Sequence, residues 1–409
     1  MEKANGSVNQ VQNVSPLLIG NELIRALETR PEYDENIRLA SPSERLMALN
    51  HIYDIYCPSL MTCEIYSKLY FAYVRALQKK ETHSAIKQSY LNHCHTRQQG
   101  IMGGSDSFTI VGASGIGKST AIGRAIAIIT KEQIVEHNGT KIIPYLLVQT
   151  PSDASLKGLL LEILRLVDAI LETNYYVDAR RSGSTTDLLI GLVSQVCLNH
   201  ICVLVIDEAQ NLLSKNGRNL VNALVQLINN SGISLCFVGT MECVTFFESA
   251  FQLARRSIGL SYSALKYDEH FRDLCETLFL YQYTTHKTML TEDLVEWLYL
   301  HSGGIVAVVV GLVYSAQEIA ILEGLEQLNI STLDSAYKRR FGMLHKHLYL
   351  DEHSGVKTRK GAEEHVDIPV TPVANQESSF ADSVALAKAS GEDIVDYLKR
   401  IFVIEEIAL

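Results

Sequence analysis

Residues Phe108 to Thr120 read FTIVGASGIGKST, an apolar run that delivers the spacing G-x-x-x-x-G-K-[ST] into a helix-forming segment. That pattern is a site for a nucleoside triphosphate. Across Gly112, Ala113, Ser114, Gly115, Ile116 and Gly117 the backbone turns so that its N–H groups face phosphate oxygens, and the following helix N-terminus adds a favourable dipole. Lys118 would reach the β- and γ-phosphates, the Ser119 hydroxyl would ligate magnesium, and Thr120 closes the motif. ATP and Mg²⁺ are therefore the expected cofactors. In isolation a glycine-rich turn could carry these letters, but the strand before it and the helix after it are the context that the chemistry requires.

A second run, Cys202 to Glu208 (CVLVIDE), is apolar and ends in two adjacent carboxylates. Asp207 would hold the magnesium through its outer shell, and Glu208 would polarise the water that attacks the γ-phosphoryl in line. On local grounds the pair could instead cap the next helix, which begins near Asn211. The upstream phosphate loop favours the catalytic reading. Past a further apolar run, Thr240 at the strand tip reads equally as a sensor of the γ-phosphate and as an N-cap for the segment starting at Glu242. The string QLARR, Gln252 to Arg256, sets two guanidiniums close together, and one of them could act as an arginine finger.

The elements that must position these groups form an α/β unit. Strands are expected at Phe108 to Gly112, Ile142 to Gln149, Ile201 to Asp207 and Ser234 to Gly239, each nearly continuous in apolar residues, as parallel strands buried on both faces are. Helical patterns separate them at Ser119 to Ile129, Leu156 to Leu171, Leu188 to Leu198 and Leu220 to Ile228. This alternation predicts a P-loop αβα domain with a mainly parallel sheet and the nucleotide at the carboxyl ends of its strands.

Around that core, spanning about residues 96–264, the pattern changes. Residues 1–95 read as an N-terminal extension, polar at first and helical from about Ser41, where Leu60, Ile65, Leu69, Tyr73 and Leu77 recur at helical intervals as a packing face. Residues 265–348 are purely helical, with Phe271 to Leu280, Thr291 to His301, Ile305 to Leu322 and Thr332 to Arg340, and read as a small lid whose Gly303-Gly304 pair suits a hinge. Residues 349–409 are an acidic tail. Within it Asp351 to Ser379 reads as a linker, and Ser383 to Leu409 as an amphipathic segment suited to a partner surface or to its own protein.

Composition sets limits on function. The chain has 409 residues, 47% of them hydrophobic, which suffices for a large nucleotide-binding domain and smaller parts. No run approaches about 20 apolar residues and the N-terminus has no apolar signal core, so a cytoplasmic protein without a membrane is expected. The eight cysteines form no C-x-x-C pair and read as reduced thiols. His93-Cys94-His95 is the one tempting ligand cluster, but adjacent side chains diverge and no second cluster completes a metal site. A net charge of −10 excludes coating of nucleic acid by bulk positive charge. Asp351 to Leu409, with 12 acidic and 6 basic residues, carries most of that excess, so a local basic stripe elsewhere remains compatible with DNA.

The run IDEAQNLLSKNGRNLVNALVQLINNSGISLCFVGT, followed by QLARR, closely resembles the TnsC/TniB group of AAA+ ATPases that regulate bacterial DNA transposition. The resemblance covers about residues 100–325. It rests on Asp207-Glu208, Asn211-Leu212, Asn222, Asn229 and Gly239-Thr240, beyond the phosphate loop. It implies an ATPase that assembles as a ring or helical homo-oligomer on duplex DNA without base specificity, and that links a target-selection protein, CRISPR-associated or not, to transposase subunits. It places the finger on Arg256 rather than Arg255. The candidates for the DNA contacts it implies are Lys157, at the start of the helix after the second strand, and Arg180-Arg181 in the following polar loop, though a solvated surface charge is the more ordinary reading of each. The lid helix after Gly303-Gly304 reads IVAVVVGL and lacks the arginine that many AAA+ proteins carry there as a second sensor.

Other classes fit less well. A helicase would share the phosphate loop and the DEAQ string but would need strand-separating motifs and a second motor domain. A signalling switch would need a recognisable sensor or effector domain. A helicase-loader-like or other DNA-remodelling AAA+ ATPase is the nearest alternative.

Overall fold

The computed structural model describes residues 14–92, 107–137, 139–150, 155–211, 223–224, 226–227, 230–244 and 257–344. The expected tail (349–409), the QLARR string, His93-Cys94-His95 and most of the Leu220 to Ile228 helix lie outside the described residues.

Among the described residues six strands form one sheet: β1 (Ser107–Gly112), β2 (Val135–His137), β3 (Thr140–Gln149), β4 (Ile201–Asp207), β5 (Ser234–Gly239) and β6 (Ser257–Tyr262), in the order β2-β3-β4-β5-β1-β6. All neighbours run parallel except β2, which folds back antiparallel on β3. The result is the mainly parallel α/β sheet that the alternation of strands and helices predicts. Strands β1, β4 and β5 are buried along their whole length, which explains their unbroken apolar runs. Two strands exceed the four expected. The three-residue β2 is too short to show a period, and β6 (SIGLSY) alternates Ser and Gly with apolar residues, as suits an edge strand whose one partner among the described residues is β1.

Helices cover both faces. On one side α5 (Leu156–Leu171) and α7 (Thr186–His200) pack Leu160, Ile163, Leu164 and Val193 against Leu204, Ile206 and Leu235. Between them lies α6 (Tyr175–Arg181), so Arg180 and Arg181 stand in the last turn of a short helix and not in a loop. On the other side α1 (Gly20–Leu27), α3 (Leu60–Asn92) and α4 (Lys118–Ile129) bury Leu23, Ile65, Leu69, Tyr73, Leu77 and Ile122 over Ile110, Val203 and Val238. Four of these side chains belong to the packing face expected of α3, and at about 1.5–3 kcal/mol each they fix α3 to the sheet. Leu60 does not join them: it is exposed at the first turn.

The helical pattern expected from Ser41 onward is interrupted. Pro42–Ala48 is a short helix, α2, opened by a capping box in which Ser41 and Glu44 satisfy each other's backbone N–H groups. A 3₁₀ turn (Leu49–Asp54) follows, and α3 starts only beyond Pro58. This interrupted stretch packs on the helices expected to form the lid and not on the sheet. Leu49, Ile52 and Ile55 share one core with α8 (Glu269–Leu280), α9 (Glu292–Ser302), α10 (Val306–Leu322) and α11 (Ile330–Ala336). Arg45 is almost fully buried there, paired with Glu326. Closer to the sheet, Thr29 and Tyr56 pair through their backbones, and Arg124 of α4 bonds the Thr29 hydroxyl while lying 4.2 Å over the Tyr56 ring. The N-terminal chain thus touches the phosphate-loop helix at one end and the lid at the other. Among the described residues no single helix is long and apolar enough to cross a membrane.

Candidate nucleotide site

The loop between β1 and α4 is shaped by its glycines. Gly115 and Gly117 have φ of 81° and 94°, a region that side chains disfavour. Gly112 is required for a different reason: a Cβ there would lie 2.5 Å from the Tyr262 carbonyl oxygen of β6 and 2.7 Å from Ile116 Cδ1. Gly117 is the N-cap of α4 and offers no side-chain cap to its first N–H groups. An incoming phosphate can take those donors, and the helix dipole favours it.

Two elements bring the oxygens expected to hold a metal together. Ser119 Oγ, on the first turn of α4, donates to Asp207 Oδ2 at 2.6 Å, across two elements 88 residues apart in sequence. Asp207 is buried at the end of β4, and its other oxygen accepts the Glu208 N–H at 2.8 Å. The donor set of one hydroxyl and one carboxylate, both hard oxygens, fits Mg²⁺. Lys118 Nζ donates to the carbonyls of Gly112 (2.9 Å) and Ala113 (2.8 Å). Its partial burial lowers its pKa, while the charges of Asp207 and Glu208 push it back up. The ammonium therefore sits inside the loop beside two carboxylates, poised for an anionic ligand. Ser114 and Thr120 are exposed, and Ile116 anchors the loop in the core.

Beyond β4 the chain turns sharply. Glu208 adopts a φ of 55°, uncommon for a non-glycine residue, and its side chain is exposed to solvent at the strand ends. Thr240, at the tip of β5, has its hydroxyl buried without a hydrogen-bond partner. Its carbonyl accepts the Cys243 N–H at 3.0 Å, but the hydroxyl makes no capping bond. An orphaned hydroxyl at the strand tip suits a ligand oxygen better than it suits the N-cap alternative. Arg255 and Arg256 lie outside the described residues. Lys157, Arg180 and Arg181 are exposed, and Arg180 packs on Tyr176, donating to its hydroxyl at 3.1 Å.

Sequence reasoning missed two contributors. One is the lid's direct seat on the phosphate loop: Ala307 N–H donates to the Gly115 carbonyl at 3.1 Å, and Ile305 Cγ2 lies 3.0 Å from where a Gly115 Cβ would be. The Gly303-Gly304 pair allows this, since Gly304 (φ 72°) has its Cβ position 2.0 Å from the Leu265 carbonyl. The other is Gln210, whose side chain bonds both Glu208 and the Thr240 N–H. Its place in the string DEAQ was the available signal.

Residues 86–261 match the family model described as Bacterial TniB protein. No curated protein matches the chain. Similar solved structures include the ORC1 protein of Aeropyrum pernix in complex with DNA, 16% identical over 57% of this chain and 59% of that one, TM-score 0.42. The ADP form of the Aeropyrum pernix ORC2 protein is 17% identical over 62% and 66%, TM-score 0.41. Cdc6p of Pyrobaculum aerophilum is 14% identical over 57% and 60%, TM-score 0.41. The chain spans less than two thirds of the length of each.

Proposed function

We propose, from the match of residues 86–261 to the family model described as Bacterial TniB protein and from the geometry of the phosphate loop, that this protein is an ATP-dependent regulator of DNA transposition. It binds ATP with Mg²⁺, assembles as a homo-oligomer on duplex DNA, and links a target-selection protein to transposase subunits. The observation that carries the nucleotide part is the convergence of Ser119 Oγ and Asp207 Oδ2 at 2.6 Å beside the Lys118 ammonium. Ser119 and Asp207 would hold the metal, the loop N–H groups and Lys118 would hold the phosphates, and Glu208 would polarise the attacking water. Thr240 senses the terminal phosphate. When bound, magnesium would supply neutralisation of the phosphate charge.

Arg256 acts on the nucleotide of a neighbouring subunit, which makes assembly and nucleotide state thermodynamically linked. Lys157, Arg180 and Arg181 face the DNA backbone in the assembly. The net charge of −10 weighs against tight binding by a monomer, so DNA affinity depends on ATP-driven assembly. The test is binding to duplexes of unrelated sequence with ATP, with ADP and without nucleotide. Binding should be sigmoidal in protein concentration, indifferent to sequence, weakened by salt and present only with ATP. Hyperbolic, nucleotide-independent binding would contradict the proposal.

A further inference from the structure

Gln210 joins two groups of the site that lie on different strands. Its Nε2 donates to a carboxylate oxygen of Glu208, and its Oε1 accepts the Thr240 N–H at 3.2 Å. One side chain thus spans from the residue after β4 to the residue after β5. Room for it comes from Gly239, where a Cβ would lie 2.8 Å from Gln210 Oε1 and 2.5 Å from Cys243 Sγ. The surrounding backbone is held: Ala209 N–H donates to the Val238 carbonyl at 2.9 Å, and Asn211 N–H to the Glu208 carbonyl at 3.0 Å. Against that frame two features stand out, the left-handed Glu208 backbone and the buried, unpartnered Thr240 hydroxyl.

Resting on the ATPase reading above, we propose that Gln210 is a positioning residue that couples Thr240 to the orientation of the Glu208 carboxylate. An exposed glutamate has several rotamers and only some aim its carboxylate at a water beside the γ-phosphate. A charge-assisted bond from the Gln210 amide selects one of them, and the other end of the same amide is fixed by the Thr240 N–H. A terminal phosphate engaging the Thr240 hydroxyl therefore acts, through one planar amide, on the group that prepares the water. Both ends of the Gln210 amide are taken up by Glu208 and Thr240, so it acts through them.

The experiment uses the full chain, with Gln210→Met (equal length, no amide), Gln210→Asn (same amide, one methylene too short to span both partners), Thr240→Ala, and the Thr240→Ala/Gln210→Met double variant. Two quantities are measured: kcat and KM for ATP hydrolysis, and Kd for a non-hydrolysable ATP analogue and for ADP. Both Gln210 variants should lower kcat about tenfold with KM within about twofold. They should also reduce the preference for the analogue over ADP by roughly threefold, and the double variant should lose no more preference than Thr240→Ala alone. The ADP affinity, unchanged throughout, reports that the site is folded. A Gln210→Met protein with wild-type kcat and preference would overturn the coupling, as would additive losses in the double variant. A wild-type protein that neither binds ATP nor hydrolyses it would instead refute the ATPase reading on which the coupling rests.

Discussion

Replacing Arg45 by methionine should detach the N-terminal segment from the lid. The side chain is 4% exposed and makes a two-pronged pair with Glu326, Nη1 to Oε2 at 2.5 Å and Nη2 to Oε1 at 2.7 Å, with further bonds to the Tyr283 carbonyl and the Thr285 hydroxyl. The Arg45 bond is the main reason that the Glu326 carboxyl falls from an ordinary 4.5 to about 2. A drop of that size corresponds to about 3 kcal/mol, and discounting for the water that still reaches the carboxylate leaves about 2. Methionine keeps most of the volume but leaves Glu326 with only the Thr285 N–H and hydroxyl, so a loss of about 2–3 kcal/mol is expected at pH 7. The pH dependence has a defined sign. Because the folded pKa is depressed, the stabilisation is complete above about 4.5 and is lost as pH falls toward 2. Denaturant unfolding of both proteins at pH 7, 5, 4 and 3 measures it. The difference should be constant between pH 7 and 5 and shrink below that; a difference under about 0.5 kcal/mol at pH 7, or one that grows in acid, would refute the reasoning.

Gly304→Ala forces a Cβ to within 2.0 Å of the Leu265 carbonyl at a positive φ, so the lid must leave the phosphate loop; limited proteolysis should show faster cleavage near Leu265, and an unchanged pattern counts against the seat. If Arg256 serves a neighbour's site, Arg256→Ala should bind ATP yet lose hydrolysis, and mixing it with Lys118→Ala subunits should restore part of the rate; no recovery argues against action in trans. Deleting everything after His347 should leave ATP-dependent DNA binding intact while impairing transposase recruitment, and the reverse pattern would overturn that division.

The sequence made the phosphate loop and the four buried strands legible because both are local: glycine spacing dictates the turn, and burial on two faces dictates unbroken apolar runs. Strand β6 escaped because an edge strand need not be apolar, and Ser257, Gly259 and Ser261 gave it no continuous run. Arg180 and Arg181 read as loop because Ser182 and Gly183 follow directly, yet one helical turn fits before them. The division of the N-terminal chain between lid and sheet was hidden for a deeper reason. A buried Arg45 or an interior Leu49 is decided by partners more than 200 residues away, and no local period encodes them. Gln210 is similar: its letter was visible, but its role depends on a strand tip 30 residues on.

The most direct test of the nucleotide site compares wild type, Lys118→Ala and Glu208→Gln in ATP affinity and ATP hydrolysis. Lys118→Ala should lose tight ATP binding. Glu208→Gln should bind ATP as wild type does while hydrolysis falls about a hundredfold or more, leaving an ATP-loaded assembly. Equal hydrolysis by wild type and Glu208→Gln would contradict the assignment of the site.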